Sequence, residues 1–132
     1  MTTIAWIGLG NMGLPMASNL AAADFTVKGV EVNPAAAEAA RQAGIEVCGT
    51  VAEAVQGAET VFAMLPNDGI VEQVLTGPGG VFSAVPTGTL VVDSSTIGIA
   101  TCRKLKEIAD STGVAYLDAQ SLVGLRALTR EL

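Results

Sequence analysis

Residues 3–20 read TIAWIGLGNMGLPMASNL, and this stretch decides the fold. It begins with a short apolar run, TIAWI, which is typical of a buried parallel strand. GLGNMG follows at residues 8–13, and a helical pattern begins near Met12. Pro15 is compatible with that helix because N–H groups in a first turn have no intrahelical partners. The stretch therefore predicts a strand, a tight glycine turn and a helix in direct succession.

Strand and helix patterns alternate through the rest of the chain. Further strands are predicted at residues 25–32, 45–47, 60–65, 89–92 and 114–117. Helices are predicted at residues 12–22, 34–44, 51–55, 69–75 and 99–111. Such alternation favours a parallel sheet with right-handed crossovers and helices on both faces. The expected fold class is therefore a doubly wound α/β domain over residues 1–119.

Composition limits the classes of function. The chain has 132 residues, half of them apolar, which is the size and composition of one globular domain. Its net charge of -6 argues against nucleic acid or an anionic membrane as the main partner, since both require a basic surface. It has no histidine, which excludes histidine acid–base and metal chemistry. Cys48 and Cys102 stand far apart and form no metal-binding motif, as expected of free thiols in a reducing cytosol.

The first residues raise the question of export. Met1 to Ala23 carries no charge, as a signal peptide or membrane helix would. However, it has no basic amino-terminal region, and glycine, asparagine and proline interrupt the apolar run. We therefore expect a cytoplasmic protein that does not insert into a membrane.

The glycine turn has the residues that a dinucleotide site needs. Gly8 permits a tight turn, Gly10 allows the backbone to approach a pyrophosphate, and Gly13 allows helix and strand to pack closely. Glu31 follows the last of these glycines by eighteen residues, at the end of the second predicted strand. A carboxylate there accepts hydrogen bonds from a ribose 2′-OH and repels a 2′-phosphate, so NAD is favoured over NADP.

Two later turns have two interpretations each. Residues 65–67 (Leu-Pro-Asn) and 94–96 (Ser-Ser-Thr) follow the fourth and fifth predicted strands. Ligands of doubly wound sheets lie beyond the carboxyl ends of the strands, so both turns can reach the nicotinamide half of a dinucleotide. The same residues are also suited to stop a strand or to cap the next helix. Spacing does not decide between these interpretations.

Three landmarks together resemble the β-hydroxyacid dehydrogenases, and most closely the 3-hydroxyisobutyrate dehydrogenase group. They are GLGNMGLPMASNL at residues 8–20, Met-Leu-Pro at 64–66 and Asp-Ser-Ser-Thr-Ile at 93–97. The resemblance covers residues 1–119 and implies a Rossmann fold, homo-oligomers and NAD-dependent oxidation of a short 3-hydroxy acid to its semialdehyde, as in valine breakdown. Motif and resemblance together predict these cofactor-binding residues: Gly8, Leu9, Gly10, Asn11, Met12, Gly13, Glu31, Val32, Asn33, Leu65, Pro66 and Thr96.

The chain departs from the family at two places. Asp24 replaces the glycine that usually follows the first helix, and aspartate tolerates the left-handed conformation needed there. After Ala119 the family continues Pro-Val-Ser-Gly-Gly, whereas residues 120–124 read QSLVG. One choice of synonymous codons for residues 120–128, with a single C added in front and read one nucleotide earlier, encodes PVSGGVAGA. We therefore expect residues 120–132 to be an out-of-frame tail and the family's second, all-helical domain to be missing.

The departure after Ala119 limits the expected activity. Leu122 stands where the family has a substrate-binding serine, and no lysine matches the motif of the family's catalytic lysine. No catalytic residue is therefore assigned, and the chain alone is expected to be inactive. The alternatives to a 3-hydroxyisobutyrate dehydrogenase are a tartronate semialdehyde or related semialdehyde reductase, which shares the same landmarks, and a non-catalytic NAD-binding module.

Overall fold

The structure, a computed structural model, describes residues 2–9 and 13–119. Within them a single sheet contains the parallel strands β1 Thr3–Ile7, β2 Thr26–Val30, β3 Glu46–Cys48, β4 Thr60–Ala63, β5 Leu90–Asp93 and β6 Ala115–Asp118. The strand order is β3-β2-β1-β4-β5-β6. The chain therefore extends the sheet in one direction from β1 and then in the other from β4, which confirms the predicted doubly wound topology.

The described residues form six helices. They are α1 Gly13–Ala22, α2 Pro34–Gln42, α3 Val51–Val55, α4 Asp68–Thr76, α5 Val81–Ala84 and α6 Ile99–Thr112. The side chains of Asn33, Thr50 and Asn67 accept hydrogen bonds from the first turns of α2, α3 and α4. At its other end α6 stops at Gly113, which adopts the left-handed conformation with φ 78°.

The two faces of the sheet bury separate apolar clusters. On one face Ala17 of α1 and Ala40 of α2 pack against Trp6 and Val27 of the sheet. On the other face α3, α4, α5 and α6 enclose a larger cluster that includes Leu75, Phe82 and Leu105 together with strand residues. Helices therefore lie on both faces, as expected, and the carboxyl ends of the strands remain open as one edge.

Two strands end two residues before their predicted ends, other ends shift by one or two residues, and one helix was not predicted. β2 ends at Val30, so Glu31 and Val32 lie in the turn beyond the strand, and Val32 is 93% exposed. β4 ends at Ala63 because the N–H of Leu65 donates to a serine hydroxyl instead of joining the ladder. The short helix α5 was not predicted, since it follows a glycine-rich turn and has no side-chain cap.

The expectation for Asp24 is confirmed: it adopts φ 70°, in the left-handed region, directly after α1. In the part of the chain that the structure describes, no helix combines the length and the apolar character needed to cross a bilayer. Predictions for Gly10, Asn11, Met12 and residues 120–132 lie outside the described residues.

Candidate functional site

A pocket of about 690 Å³ opens at the carboxyl ends of the strands, where the sheet reverses its direction of growth between β1 and β4. Ligand sites of small molecules commonly have about 300–1,000 Å³. Seven predicted site residues line the wall: Gly8, Gly13, Glu31, Val32, Leu65, Pro66 and Thr96. The fold therefore brings together the glycine turn, the acidic residue after β2 and both later turns.

Close packing explains why the turn needs glycine at positions 8 and 13. Gly8 has φ +96°, and a Cβ there would collide with the carbonyl oxygen of Met64 on the neighbouring strand end. A Cβ on Gly13 would collide with the carbonyl oxygen of Gly8 and stand 3.0 Å from Nε1 of Trp6. The first turn of α1 therefore lies directly on the end of β1, and the backbone borders the pocket without intervening side chains.

The carboxylate of Glu31 connects the glycine turn to the β2–α2 turn. Oε1 accepts a hydrogen bond of 2.8 Å from the backbone N–H of Leu9, and Oε2 accepts one of 3.0 Å from the N–H of Asn33. The carboxylate also forms part of the pocket wall. Its position beyond β2 agrees with the place of a ribose-binding acid in dinucleotide sites.

A buried hydrogen-bonded chain joins the two later turns to the last strand. The hydroxyl of Tyr116 donates to Asp93 at 2.7 Å, and the other oxygen of Asp93 accepts from the N–H of Ser95 at 2.9 Å. The Ser95 hydroxyl in turn accepts from the N–H of Leu65 at 2.8 Å. Burial together with the Asp93 carboxylate raises the pKa of Tyr116 far above its usual range, so the phenol stays protonated as the donor.

These hydrogen bonds show the role of the Ser-Ser-Thr turn. The residue that precedes α6 is Gly98, and no side chain caps the helix. The interpretation of the hydroxyls as caps of α6 is therefore wrong, since Ser95 instead fixes the Leu65 turn. Asn67 does cap α4 through a 3.0 Å bond from Ile70 N, so that turn both borders the pocket and starts a helix.

A second set of hydrogen bonds joins the end of the loop between β5 and α6 to the start of α4. Oδ2 of Asp68, at the start of α4, accepts from Gly98 N at 3.1 Å and from the Thr101 hydroxyl at 2.7 Å. The hydrogen bond from Thr101, followed by that from Gly98, holds the pKa of Asp68 below its usual range. One helix turn later, Lys104 forms a 3.0 Å ion pair with Glu72. These contacts form a clamp between α4 and α6 at Gly98.

Two predicted site residues lie off the wall. The side chain of Leu9 is fully buried and occupies the space that a Cβ on Gly29 would need. The side chain of Asn33 accepts hydrogen bonds from Ala35 N and Ala36 N as the cap of α2. Both residues contribute backbone N–H groups to Glu31 rather than side chains to the pocket.

Sequence reasoning missed the apolar part of the wall, which comes from Val51, Met64, Ile70 and Val74. Their helical spacing or position at a strand end is also typical of core residues, so the pattern contains no separate signal for them. Sequence reasoning also missed the pairing of Asp93 with Tyr116. These residues are distant in sequence and meet only because β5 and β6 are adjacent in the sheet.

The site has the features of a dinucleotide cradle. Among the described residues, glycine backbone, an acidic side chain beyond β2 and several apolar side chains line the pocket. Among the described residues no lysine lines this pocket, and Lys28, Lys104 and Lys106 bind Gln56, Glu72 and Asp110 elsewhere. The residues that the structure describes contain no group of three potential metal ligands.

Fold and pocket together define a dinucleotide-binding domain of the Rossmann class. Residues 3–121 match the family model described as the NAD binding domain of 6-phosphogluconate dehydrogenase, and the chain belongs to this family.

Similar proteins are hydroxyacid dehydrogenases. The probable 3-hydroxyisobutyrate dehydrogenase of Mycobacterium tuberculosis is 40% identical over 126 residues, a match that covers 96% of this chain and 42% of that protein. The 2-(hydroxymethyl)glutarate dehydrogenase of Eubacterium barkeri is 39% identical over 116 residues, covering 88% of this chain and 38% of that protein. The chain therefore spans about two-fifths of the length of these relatives.

The fold is shared with a solved structure of M. tuberculosis 3-hydroxyisobutyrate dehydrogenase with L-serine. The two superpose with a TM-score of 0.82 at 40% identity, covering 88% of this chain and 39% of the other. The part shared is the α/β domain described above, which confirms the predicted family resemblance and fold class.

Proposed function

We propose that this chain binds NAD in the pocket at the carboxyl ends of the strands. The observation that carries the proposal is the convergence there of Gly8, Gly13 and Glu31, the backbone and carboxylate that a pyrophosphate and an adenosine ribose require. Val32 is placed beside the ribose, and Leu65, Pro66 and Thr96 toward the nicotinamide half. The predicted contacts of Gly10, Asn11 and Met12 complete the glycine turn.

The preference for NAD over NADP rests on charge. Among the described residues that line the pocket, Glu31 is the charged one, and the adjoining turn, residues 32–34, contains no Lys or Arg. A 2′-phosphate would stand next to a carboxylate with no compensating cation from those residues, which favours the 2′-hydroxyl.

We propose that the chain serves an oxidoreductase acting on short 3-hydroxy acids. The names of the similar proteins support this substrate class, because 3-hydroxyisobutyrate, 2-(hydroxymethyl)glutarate and L-serine all have a hydroxymethyl group next to a carboxylate-bearing carbon. Bound NAD supplies the hydride acceptor for oxidation of such an alcohol. Oxidation of 3-hydroxyisobutyrate in valine breakdown is the specific assignment, and reduction of a semialdehyde is the alternative.

The described residues bind and orient, but they do not supply the proton acceptor that alcohol oxidation requires. Glu31 lies beyond β2, on the proposed ribose side of the pocket, and Asp93 is fully buried and bonded to Ser95 and Tyr116. We therefore propose that the 132-residue chain alone is inactive. We also propose that assembly into a homo-oligomer involves the family's second domain. The protein is proposed to act in the cytoplasm, where free Cys48 and Cys102 persist.

We also propose that residues 120–132 are read out of frame. The support is that synonymous codons can be chosen for residues 120–128 which, with one nucleotide restored in front, encode the family's PVSGGVAGA in the shifted frame. Sequencing of the genomic DNA tests this: codons that permit the shift support the proposal, and codons that forbid it refute it.

Calorimetric titration of the full chain with NAD+ and NADP+ tests the binding proposal. We expect saturable binding of NAD+ and binding of NADP+ weaker by at least tenfold, because one uncompensated like-charge contact suffices for that ratio. Equal affinities would refute the role of Glu31, and absence of binding to either dinucleotide would refute the proposed function.

A further inference from the structure

The peptide bond between Gly8 and Leu9 is held at both ends by side chains. Its carbonyl oxygen, on Gly8, accepts a 2.9 Å hydrogen bond from Nε1 of Trp6. Its N–H, on Leu9, donates to Oε1 of Glu31 at 2.8 Å. The two side chains come from different strand ends, so the orientation of this peptide does not depend on the glycine turn alone.

Trp6 is itself fixed in place. Its side chain is 1% exposed, and its indole stacks on the ring of Phe62 in β4 with centroids 5.1 Å apart and an angle of 11° between the planes. The indole N–H therefore points at the Gly8 carbonyl with little freedom to move.

The Gly8 carbonyl occupies a crowded place. The first residue of α1, Gly13, packs directly against this oxygen and near the indole nitrogen. An apolar ring at position 6 would fill the same volume but would remove the donor that Trp6 supplies to this enclosed carbonyl. A carbonyl in that position is stabilised by turning toward another donor, which would also turn the N–H of Leu9 away from Glu31.

We propose that Trp6 is a positioning residue for the dinucleotide, an inference that rests on the proposed NAD site. Its N–H sets the plane of the Gly8–Leu9 peptide, and this peptide in turn holds the carboxylate of Glu31 on the pocket wall. Trp6 thus connects the pyrophosphate side of the site to the ribose side without touching the ligand.

The sharpest test removes the indole N–H and leaves the shape unchanged. The chain contains one tryptophan, so replacing tryptophan with 3-benzothienylalanine, in which sulfur stands in place of the N–H, alters position 6 alone. We expect NAD+ affinity, measured by calorimetry, to fall roughly five- to tenfold, the usual effect of one lost hydrogen bond. The Leu9 amide proton resonance should also move upfield as its bond to Glu31 weakens.

Phe62→Leu is the matched control. It removes the ring on which Trp6 stacks but keeps the indole donor and its hydrogen bond to Gly8, so it should lower the midpoint of thermal unfolding and should weaken NAD+ binding less than the sulfur analogue does. A role of Trp6 in packing alone predicts the opposite order, with Phe62→Leu weakening NAD+ binding and the sulfur analogue binding normally.

The outcomes separate the inference from the proposed function. An unchanged Leu9 resonance together with unchanged NAD+ affinity in the sulfur analogue overturns the role of Trp6 and leaves the NAD site intact. Failure of the unmodified chain to bind NAD+ overturns both. A shifted Leu9 resonance with unaltered affinity overturns the claim that the peptide plane controls binding.

Discussion

At the residue scale, the site depends on backbone that no side chain obstructs. Gly13 lies against the Gly8 carbonyl, so Gly13→Ala inserts a methyl group where no space exists. Overpacking of this kind costs about 1–3 kcal/mol, and separation of α1 from β1 should also weaken NAD+ binding. Chemical denaturation and calorimetry measure the two effects.

Gly69→Ala is the matched control for that change. Gly69 also lies in the first turn of a helix, but its Cβ would contact only Asn67 Oδ1, at an ordinary 3.5 Å. Stability should therefore be maintained or rise. Equal losses in the two variants would show that the packing of Gly13 has no special importance.

Glu31 carries the second prediction at this scale. Glu31→Ala removes the acceptor of two backbone N–H groups and the proposed partner of the ribose. Hydrogen bonds to charged groups contribute about 1.5–3 kcal/mol, so NAD+ affinity should fall roughly 10- to 100-fold. Glu31→Arg should reverse the preference toward NADP+.

Glu59→Ala is the control for Glu31 because Glu59 precedes β4, at the amino ends of the strands and far from the pocket. It should leave both titrations unchanged. Unchanged NAD+ and NADP+ affinities in Glu31→Ala would refute the ribose role.

Single residues were predictable from sequence where backbone chemistry demands one residue type. Glycine at positions 8 and 13 and an acid after β2 are such cases. The role of Leu9 was not predictable, because its partner Glu31 follows a different strand. The role of Trp6 was not predictable either, because an aromatic residue in an apolar strand is typical of the core and its bond to the Gly8 carbonyl is seen only in the folded turn.

At the scale of elements, the Tyr116–Asp93–Ser95 chain fixes the turns after β4 and β5. Tyr116→Phe leaves the buried Asp93 without its phenol donor, and we expect a loss of about 1–3 kcal/mol in the free energy of unfolding. The turn at Leu65 should also loosen and weaken NAD+ binding. A variant as stable as the parent would show that this hydrogen bond contributes nothing.

The Tyr116–Asp93 hydrogen bond predicts that the stability of the fold decreases at alkaline pH. The pKa of Tyr116 is raised in the folded state, while the unfolded chain releases the phenol proton near its ordinary pKa of about 10. The contribution to stability is therefore fully present below that pH and is lost as the pH rises above it. The difference in free energy of unfolding between the parent and Tyr116→Phe, measured with urea, should therefore shrink between roughly pH 8 and pH 11. A constant difference would contradict the proposed contribution of the Tyr116 hydroxyl.

The clamp between α4 and α6 predicts that the stability of the fold decreases at acid pH. The pKa of Asp68 is lowered by its bonds from Thr101 and Gly98, so its contribution is present above the unfolded pKa of about 4 and is lost as the pH falls. The stability difference between the parent and Asp68→Asn should therefore shrink as the pH is lowered from neutral to about 3. Denaturant unfolding at several pH values measures it.

Asp110→Asn is the control for the clamp. Asp110 pairs with Lys106 on the exposed side of α6, where such pairs contribute little, so the change should hardly affect stability at any pH. An equal effect of both substitutions would show that the link to Gly98 and Thr101 is not special.

The order and type of the elements were predictable, and their ends were less so. Alternating apolar runs and caps at Asn33, Thr50 and Asn67 locate the elements. The ends of β2 and β4 depend on which partner each N–H meets in the folded sheet, and α5 has no capping side chain to announce it.

At the scale of the whole molecule, the reversal of strand order between β1 and β4 creates the pocket. Parallel topology follows from the strand and helix alternation, so the location of the site at the carboxyl edge was predictable. Its apolar wall was not, because it is assembled from α3, α4 and the end of β4, which are distant in sequence.

Nuclear magnetic resonance of the 15N-labelled full chain, titrated with NAD+, tests the central claim most directly. We expect amide resonances of Gly8, Val32, Leu65 and Thr96 to shift, since all four residues line the pocket. Those of Glu59 and Gly88, at the amino edge of the sheet, should stay fixed. Shifts confined to the amino edge, or none at saturating NAD+, would contradict the assignment of this pocket as the NAD site.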